Sequence, residues 1–148
     1  MSGSDDATRL DPTRFGYTQN EWDQAVDAGV GILKDVAGAG STIDYTDFCE
    51  RIFAITGVRV VPGEYALAHL LGDVSRETLS THNCAITTLV VYKDSTEAGS
   101  GLYTLAIEEG LLPKNPTEVQ KDQFRISHMN RAYEIWRRQR HVPGERFR

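Results

Sequence analysis

Apolar residues recur at helical spacing along most of this chain, with one continuous apolar run near its middle. Trp22, Val26, Val30, Leu33 and Val36 or Ala37 predict a first helix. Thr18 to Glu21 forms a capping box at its start, and Gly38-Ala39-Gly40 ends it. Gly29 and Gly31 are costly inside a helix, which implies a close neighbour against that turn. A second helix starts at the N-cap Asp44, buries Phe48, Cys49, Ile52 and Phe53 or Ile55, and stops at Gly57. Val58–Val61 is β-branched and expected to be extended. Pro62-Gly63 opens a third helix whose apolar face is Tyr65, Leu67, Leu70, Leu71, Val74 and Leu79, with Gly72 dividing it into two pieces.

Ala85 to Tyr92 is nearly all apolar or β-branched and predicts a buried strand. A polar Gly-containing segment, Lys93 to Gly101, follows as a hairpin. Leu102, Leu105 and Ala106 give a short helix ending at Gly110. Thr117 and Gln120 cap a last helix with the apolar stripe Val119, Phe124, Met129, Ala132, Tyr133 and Trp136. Helix, turn, helix, strand and hairpin in that order predict an α+β, mainly helical fold. Its centre would be winged-helix-like, with a flanking N-terminal helix and a long C-terminal helix. Residues 1–16 lack periodicity and read as a disordered lead-in, residues 17–141 as a single domain, and 142–148 as a polar tail.

Size and composition agree with one domain: 148 residues, 40% of them apolar. No apolar stretch approaches the roughly 20 residues of a membrane span, and the acidic start has no secretory pattern. A cytoplasmic protein with no membrane partner is expected. Cys49 and Cys84 then read as reduced thiols rather than a disulfide. The net charge of −5 is unevenly spread. From residue 125 onward seven arginines face two glutamates, so residues 1–124 carry a surplus of ten negative charges.

That asymmetry defines the candidate binding residues. In a winged helix the second helix of the pair enters the major groove and the wing touches the backbone. Here that helix, Glu64 to Leu79, offers His69 and Arg76 but also Glu64, Asp73 and Glu77. Phosphate contact needs Lys and Arg, so the basic surface would be Arg59, Arg76 and Lys93 together with Arg131, Arg137, Arg138 and Arg140. Tyr92 and Tyr103 flank the hairpin as partner-contacting aromatics. Two functions follow. The first is a non-catalytic nucleic-acid-binding accessory or regulatory protein, with DNA as partner. The second is a protein–protein interaction module, partnering another protein or itself as a homodimer.

Some motifs resemble those of known families. Ile43-Asp44-Tyr45-Thr46-Asp47-Phe48, the Leu89–Tyr92 strand, Gly99-Ser100-Gly101 and Glu109-Gly110-Leu111-Leu112 resemble the DNA-binding half of alkylguanine alkyltransferases and their alkyltransferase-like relatives. The Pro-Cys-His-Arg-Val-Val motif of that family is absent. Thr87 stands where its nucleophile would be, so the resemblance implies no methyl transfer. A wider resemblance, over most of residues 45–137, is to a group of small uncharacterised bacterial and phage-borne proteins. It rests on Leu71-Gly72-Asp73-Val74-Ser75-Arg76, Val90-Val91-Tyr92-Lys93, Gly99–Tyr103 and Ala132-Tyr133-Glu134-Ile135-Trp136, and it implies a bacterial or phage origin.

Catalytic patterns are weak. His82-Asn83-Cys84 places a histidine near a thiol, but neighbours on an extended segment point to opposite faces. Histidines and cysteines are scattered rather than paired at metal-ligand spacing, so no metal is expected. Asp44, Asp47 and Glu50 read as a solvated, dipole-matched helix start. Gly38–Thr42 lacks the lysine of a phosphate loop, and no cofactor is expected.

Overall fold

The computed structural model describes residues 15–95 and 97–140, with 138–140 described by backbone alone. The predicted lead-in and tail therefore lie outside the described residues, except for Phe15 and Gly16. In chain order the elements are α1 (Gln19–Gly38), β1 (Ile43–Asp44), α2 (Tyr45–Thr56), α3 (Tyr65–His82), a 3-10 helix (Ile86–Leu89), β2 (Val90–Val91), α4 (Ser100–Glu108) and α5 (Glu118–Arg140). The fold is α+β and mainly helical.

The helix starts follow from local chemistry. In α1 the Glu21 amide donates to Thr18 Oγ1 at 3.0 Å and the Thr18 amide to Glu21 Oε1 at 2.9 Å. The Thr117–Gln120 pair repeats this box for α5, at 3.1 and 2.9 Å. Asp44 Oδ1 accepts from the Asp47 amide at 2.8 Å to start α2, which ends at Gly57 with φ +76°. Each device satisfies amides or carbonyls that a helix end leaves without an internal partner.

Helix α1 is the centre of the molecule and packs on α2, α3 and α5. Gly29 sits where α1, α2 and α3 meet: a Cβ there would lie 2.9 Å from Val74 Cγ2 and 3.1 Å from Phe48 Cζ. Gly31, two residues on and so on the opposite side of the helix, has nothing within 4 Å, so only Gly29 answers the predicted close approach. Trp22 Nε1 donates to Asp73 Oδ2 at 2.8 Å and ties the start of α1 to the middle of α3. Helix α3 runs unbroken through Gly72 rather than in two pieces. A second, smaller core joins Ala85, Leu102, Ala106, Leu112 and Phe124, and fastens α4 to the first half of α5.

The strand predicted from Ala85 to Tyr92 is the main correction. Only Val90–Val91 is strand, and it pairs in parallel with Ile43–Asp44. Residues 84–91 are all buried, so their amides need partners other than water. Neighbouring helices supply them. The Ala85 amide donates to His128 Nδ1 at 2.9 Å, Ile86 to Thr78 Oγ1 at 3.3 Å, and Thr87 to Ser75 Oγ at 3.2 Å. The Thr88 amide closes on the Ala85 carbonyl at 3.3 Å. Up to Leu89 the apolar run is thus a buried connector whose first three amides, at 85–87, are satisfied by side chains of α3 and α5, and only Val90–Val91 joins a β ladder.

Beyond β2, the Ser95 amide donates to the Tyr92 carbonyl and the Tyr92 amide to the Glu97 carbonyl, with Asp94 at φ +57°. This tight turn feeds α4 directly. No antiparallel hairpin occurs among the described residues. On α5 the buried stripe is Phe124, His128, Ala132 and Trp136, spaced by four. Val119, expected in that stripe, is 64% exposed.

Candidate functional site

Three helices begin at one place. The N-cap residues of α2, α3 and α4 are Asp44, Glu64 and Gly99, and all three line a single cleft of about 410 Å³. Its floor is apolar, formed by Leu67, Leu71, Leu102 and Leu105, and its rim carries Tyr45, Tyr92 and Lys93. Such a volume, with an apolar floor and a few polar groups at the rim, is typical of ligand-binding clefts. Tyr45 fixes one wall: its hydroxyl accepts from the Gly99 amide at 2.7 Å, and its ring lies 5.3 Å from that of Tyr92. Gly99 lets both rings approach: a Cβ there would stand 2.9 Å from the Tyr45 hydroxyl and 3.2 Å from that of Tyr92, so the tyrosines would have to shift. Burial raises the Tyr45 pKa and keeps the phenol neutral. Glu64 and Gly99 make no side-chain cap, whereas Asp44 is committed to its own helix.

An adjoining shallow depression shares Asp44 and Tyr92 with the cleft and adds Asp47, Arg51, Asp94 and Glu97. Val61 and Tyr65 flank the cleft-lining segment Pro62–Glu64 in sequence and are 42% and 80% exposed. The cleft is therefore continuous with an acidic shelf, and exposed apolar side chains neighbour its lining.

Of the residues singled out in the sequence, Tyr92 and Lys93 belong to this cleft. The others are held elsewhere. The Arg59 guanidinium lies 3.8 Å above the Phe53 ring, while its carbonyl accepts from the Tyr17 hydroxyl. The His69 ring lies 5.1 Å from that of Phe15, tilted against it. Arg76 is taken by carboxylates: Glu108 at 2.8 Å, Glu109 at 3.0 Å and Asp73 at 3.4 Å. Tyr103 is half-buried, with Lys121 5.4 Å from its ring centre. Arg131 donates to the Asn83 carbonyl that follows α3, and Arg137 lies over Tyr133 and against Gly40. The side chains of Arg138 and Arg140 lie outside the described residues. Arg59, Arg76, Arg131 and Arg137 are thus each engaged at a separate place in the fold.

Nucleophile chemistry has little support. Cys49 and Cys84 are free and buried, and burial pushes their pKa values up to about 11 and about 12, so both stay protonated thiols at neutral pH. Cys84 Sγ donates to the His128 carbonyl. His82 turns away to Thr81 Oγ1 at 2.8 Å and to the Trp136 ring. Among the described residues no group of three or more His, Cys, Asp or Glu is placed to hold a metal ion. Also among them, no helix is long and apolar enough to cross a membrane.

Sequence reasoning missed Tyr45 and Gly99 as partners, and His128 as a core acceptor. A tyrosine directly after an N-cap aspartate and the Gly99-Ser100-Gly101 run were local hints, but the contact spans 54 positions. Comparison with protein-family models, curated proteins and solved structures finds no match.

Proposed function

We propose that this chain is a non-catalytic protein-interaction module that seats a segment of its partner in the cleft where α2, α3 and α4 begin. The observation that carries this reading is the cleft itself: about 410 Å³, leucine-floored and tyrosine-rimmed, with the exposed Val61 and Tyr65 beside it. Exposed apolar groups around a concave apolar site mark interaction surfaces more often than accidents of packing. The nucleic-acid reading has weaker support. Its central residue, Arg76, already faces three carboxylates, Arg131 is bound to a carbonyl, and Arg59 and Arg137 are laid over rings.

The test selects peptides from a random display library on the immobilised full chain and measures their affinity for wild type and Ala68→Phe. Ala68 is exposed on α3 and lines the cleft, so a larger side chain there occupies the cleft from the surface and replaces no buried residue. Selected peptides should lose binding to Ala68→Phe. Peptides indifferent to that substitution, together with salt-sensitive binding of labelled duplex DNA, would reject the reading in favour of nucleic acid.

A further inference from the structure

The acidic shelf narrows the kind of partner. Taken together, the cleft and the shelf present five carboxylates, Asp44, Glu64, Asp47, Asp94 and Glu97, against two cations, Lys93 and Arg51. None of the five is in an ion pair among the described residues. The arrangement differs from that around Arg76, where carboxylates are neutralised by the fold. The shelf is also continuous with the cleft through Asp44 and Tyr92, so one extended segment can lie across both. Complementary charge steers such an encounter and fixes its register, while the apolar anchor supplies most of the affinity.

We infer that the occupant is a partner segment with one large apolar anchor for the cleft and adjacent lysine or arginine side chains for the shelf. This rests on the protein-interaction reading. The anchor packs on Leu67, Leu71, Leu102 and Leu105, and the cations face Asp47, Asp94 and Glu97. Binding weakens with added salt because the shelf is open to solvent.

Three fluorescein-labelled peptides test this: a leucine anchor flanked by lysines, the same anchor flanked by glutamates, and the lysine peptide with alanine as anchor. Each is titrated by fluorescence anisotropy against the full chain. The variants are Ala68→Phe and the triple Asp47→Asn, Asp94→Asn, Glu97→Gln. Asparagine is chosen at 94 because it tolerates the positive φ there. The lysine–leucine peptide should bind about tenfold more tightly than the glutamate one, as expected of a few exposed charge pairs. The triple variant should remove most of that preference, and Ala68→Phe should abolish binding. If the triple variant melts early by circular dichroism, Glu97→Gln alone replaces it and should lower the preference in the same direction.

Charge-indifferent binding of both leucine peptides, still blocked by Ala68→Phe, overturns the inference and leaves the interaction reading standing. No binding of any peptide overturns both. Self-association of the chain, seen by light scattering, that Ala68→Phe abolishes overturns the inference alone; the occupant is then a second copy.

Discussion

At the scale of single residues, His128 does the most with the least sequence signal. Its ring is buried, Nδ1 accepts from the Ala85 amide at 2.9 Å, and Phe124 packs 4.5 Å away. Burial, with a smaller push from Arg131, lowers its pKa from 6.5 to about 4. Protonation would turn the acceptor into a donor facing another donor. The unfolded chain takes up its proton near pH 6.5 and the folded chain only near 4. This contribution to stability is therefore complete above about pH 6.5 and is lost as pH falls toward 4. At about 1.4 kcal/mol per unit it is on the order of 3 kcal/mol. Urea midpoints measured from pH 7.5 to 4 should show the decline in wild type and a flatter profile in His128→Asn, whose amide oxygen accepts without titrating. Parallel profiles would remove His128 from the account. The two tryptophans make a second contrast. Trp22 Nε1 reaches a carboxylate, whereas Trp136 Nε1 is buried without a hydrogen-bond partner among the described residues. Trp22→Phe should cost about 1.5–3 kcal/mol more than Trp136→Phe in denaturant titration, the size of a hydrogen bond to a charged group. Equal costs would mean that Asp73 finds another donor.

At the scale of elements, the legible part of the fold was the part encoded locally. Thr18 with Glu21, Thr117 with Gln120, Asp44 and Gly57 mark helix ends because each acts within a few residues of itself. The apolar run after α3 could not be read the same way. Whether it is strand or connector depends on who satisfies its amides, and one of those groups, His128, lies 43 positions away. The cleft is illegible for a like reason: its N-caps, at 44, 64 and 99, meet only once the chain is folded. Gly29 and Gly31 sit between these cases. Both were legible as helix defects, yet only packing tells them apart. Gly31→Ala should stabilise α1 by about 0.5–1 kcal/mol, since the new methyl meets open space and the backbone loses less entropy on folding. Gly29→Ala should destabilise by about 1–3 kcal/mol, since Val74 and Phe48 must give way. Opposite signs in thermal melts would support the three-helix junction; like signs would not.

At the scale of the whole molecule, the excess of acid over base decides how the basic residues are used. Glu108 and Glu109 close the C-terminal end of α4, where the helix dipole disfavours carboxylates. Arg76 reaches across from α3 and offsets both. Its side chain is 40% exposed, so each bridge is weak, but the cluster fixes α4, and α4 carries one wall of the cleft. Arg76→Gln should cost about 1 kcal/mol at low ionic strength, and Arg76→Glu more because it sets a fourth carboxylate among three. Both deficits should shrink in 1 M NaCl, where the screening length is about 3 Å. Urea midpoints at low and high salt check this, and salt-independent deficits would assign Arg76 a packing role instead. The same physics governs any test for nucleic-acid binding. A charge reversal at Arg76 disturbs α4, so lost DNA affinity in Arg76→Glu cannot be assigned to a phosphate contact. Lys93→Ala is the cleaner probe, because Lys93 is exposed at the cleft rim and makes no ion pair among the described residues. If phosphates are the true ligand, Lys93→Ala should reduce the slope of log affinity against log salt by about one. If the cleft serves a cationic segment, the same substitution removes a repulsion and leaves the lysine–leucine peptide bound at least as tightly as before.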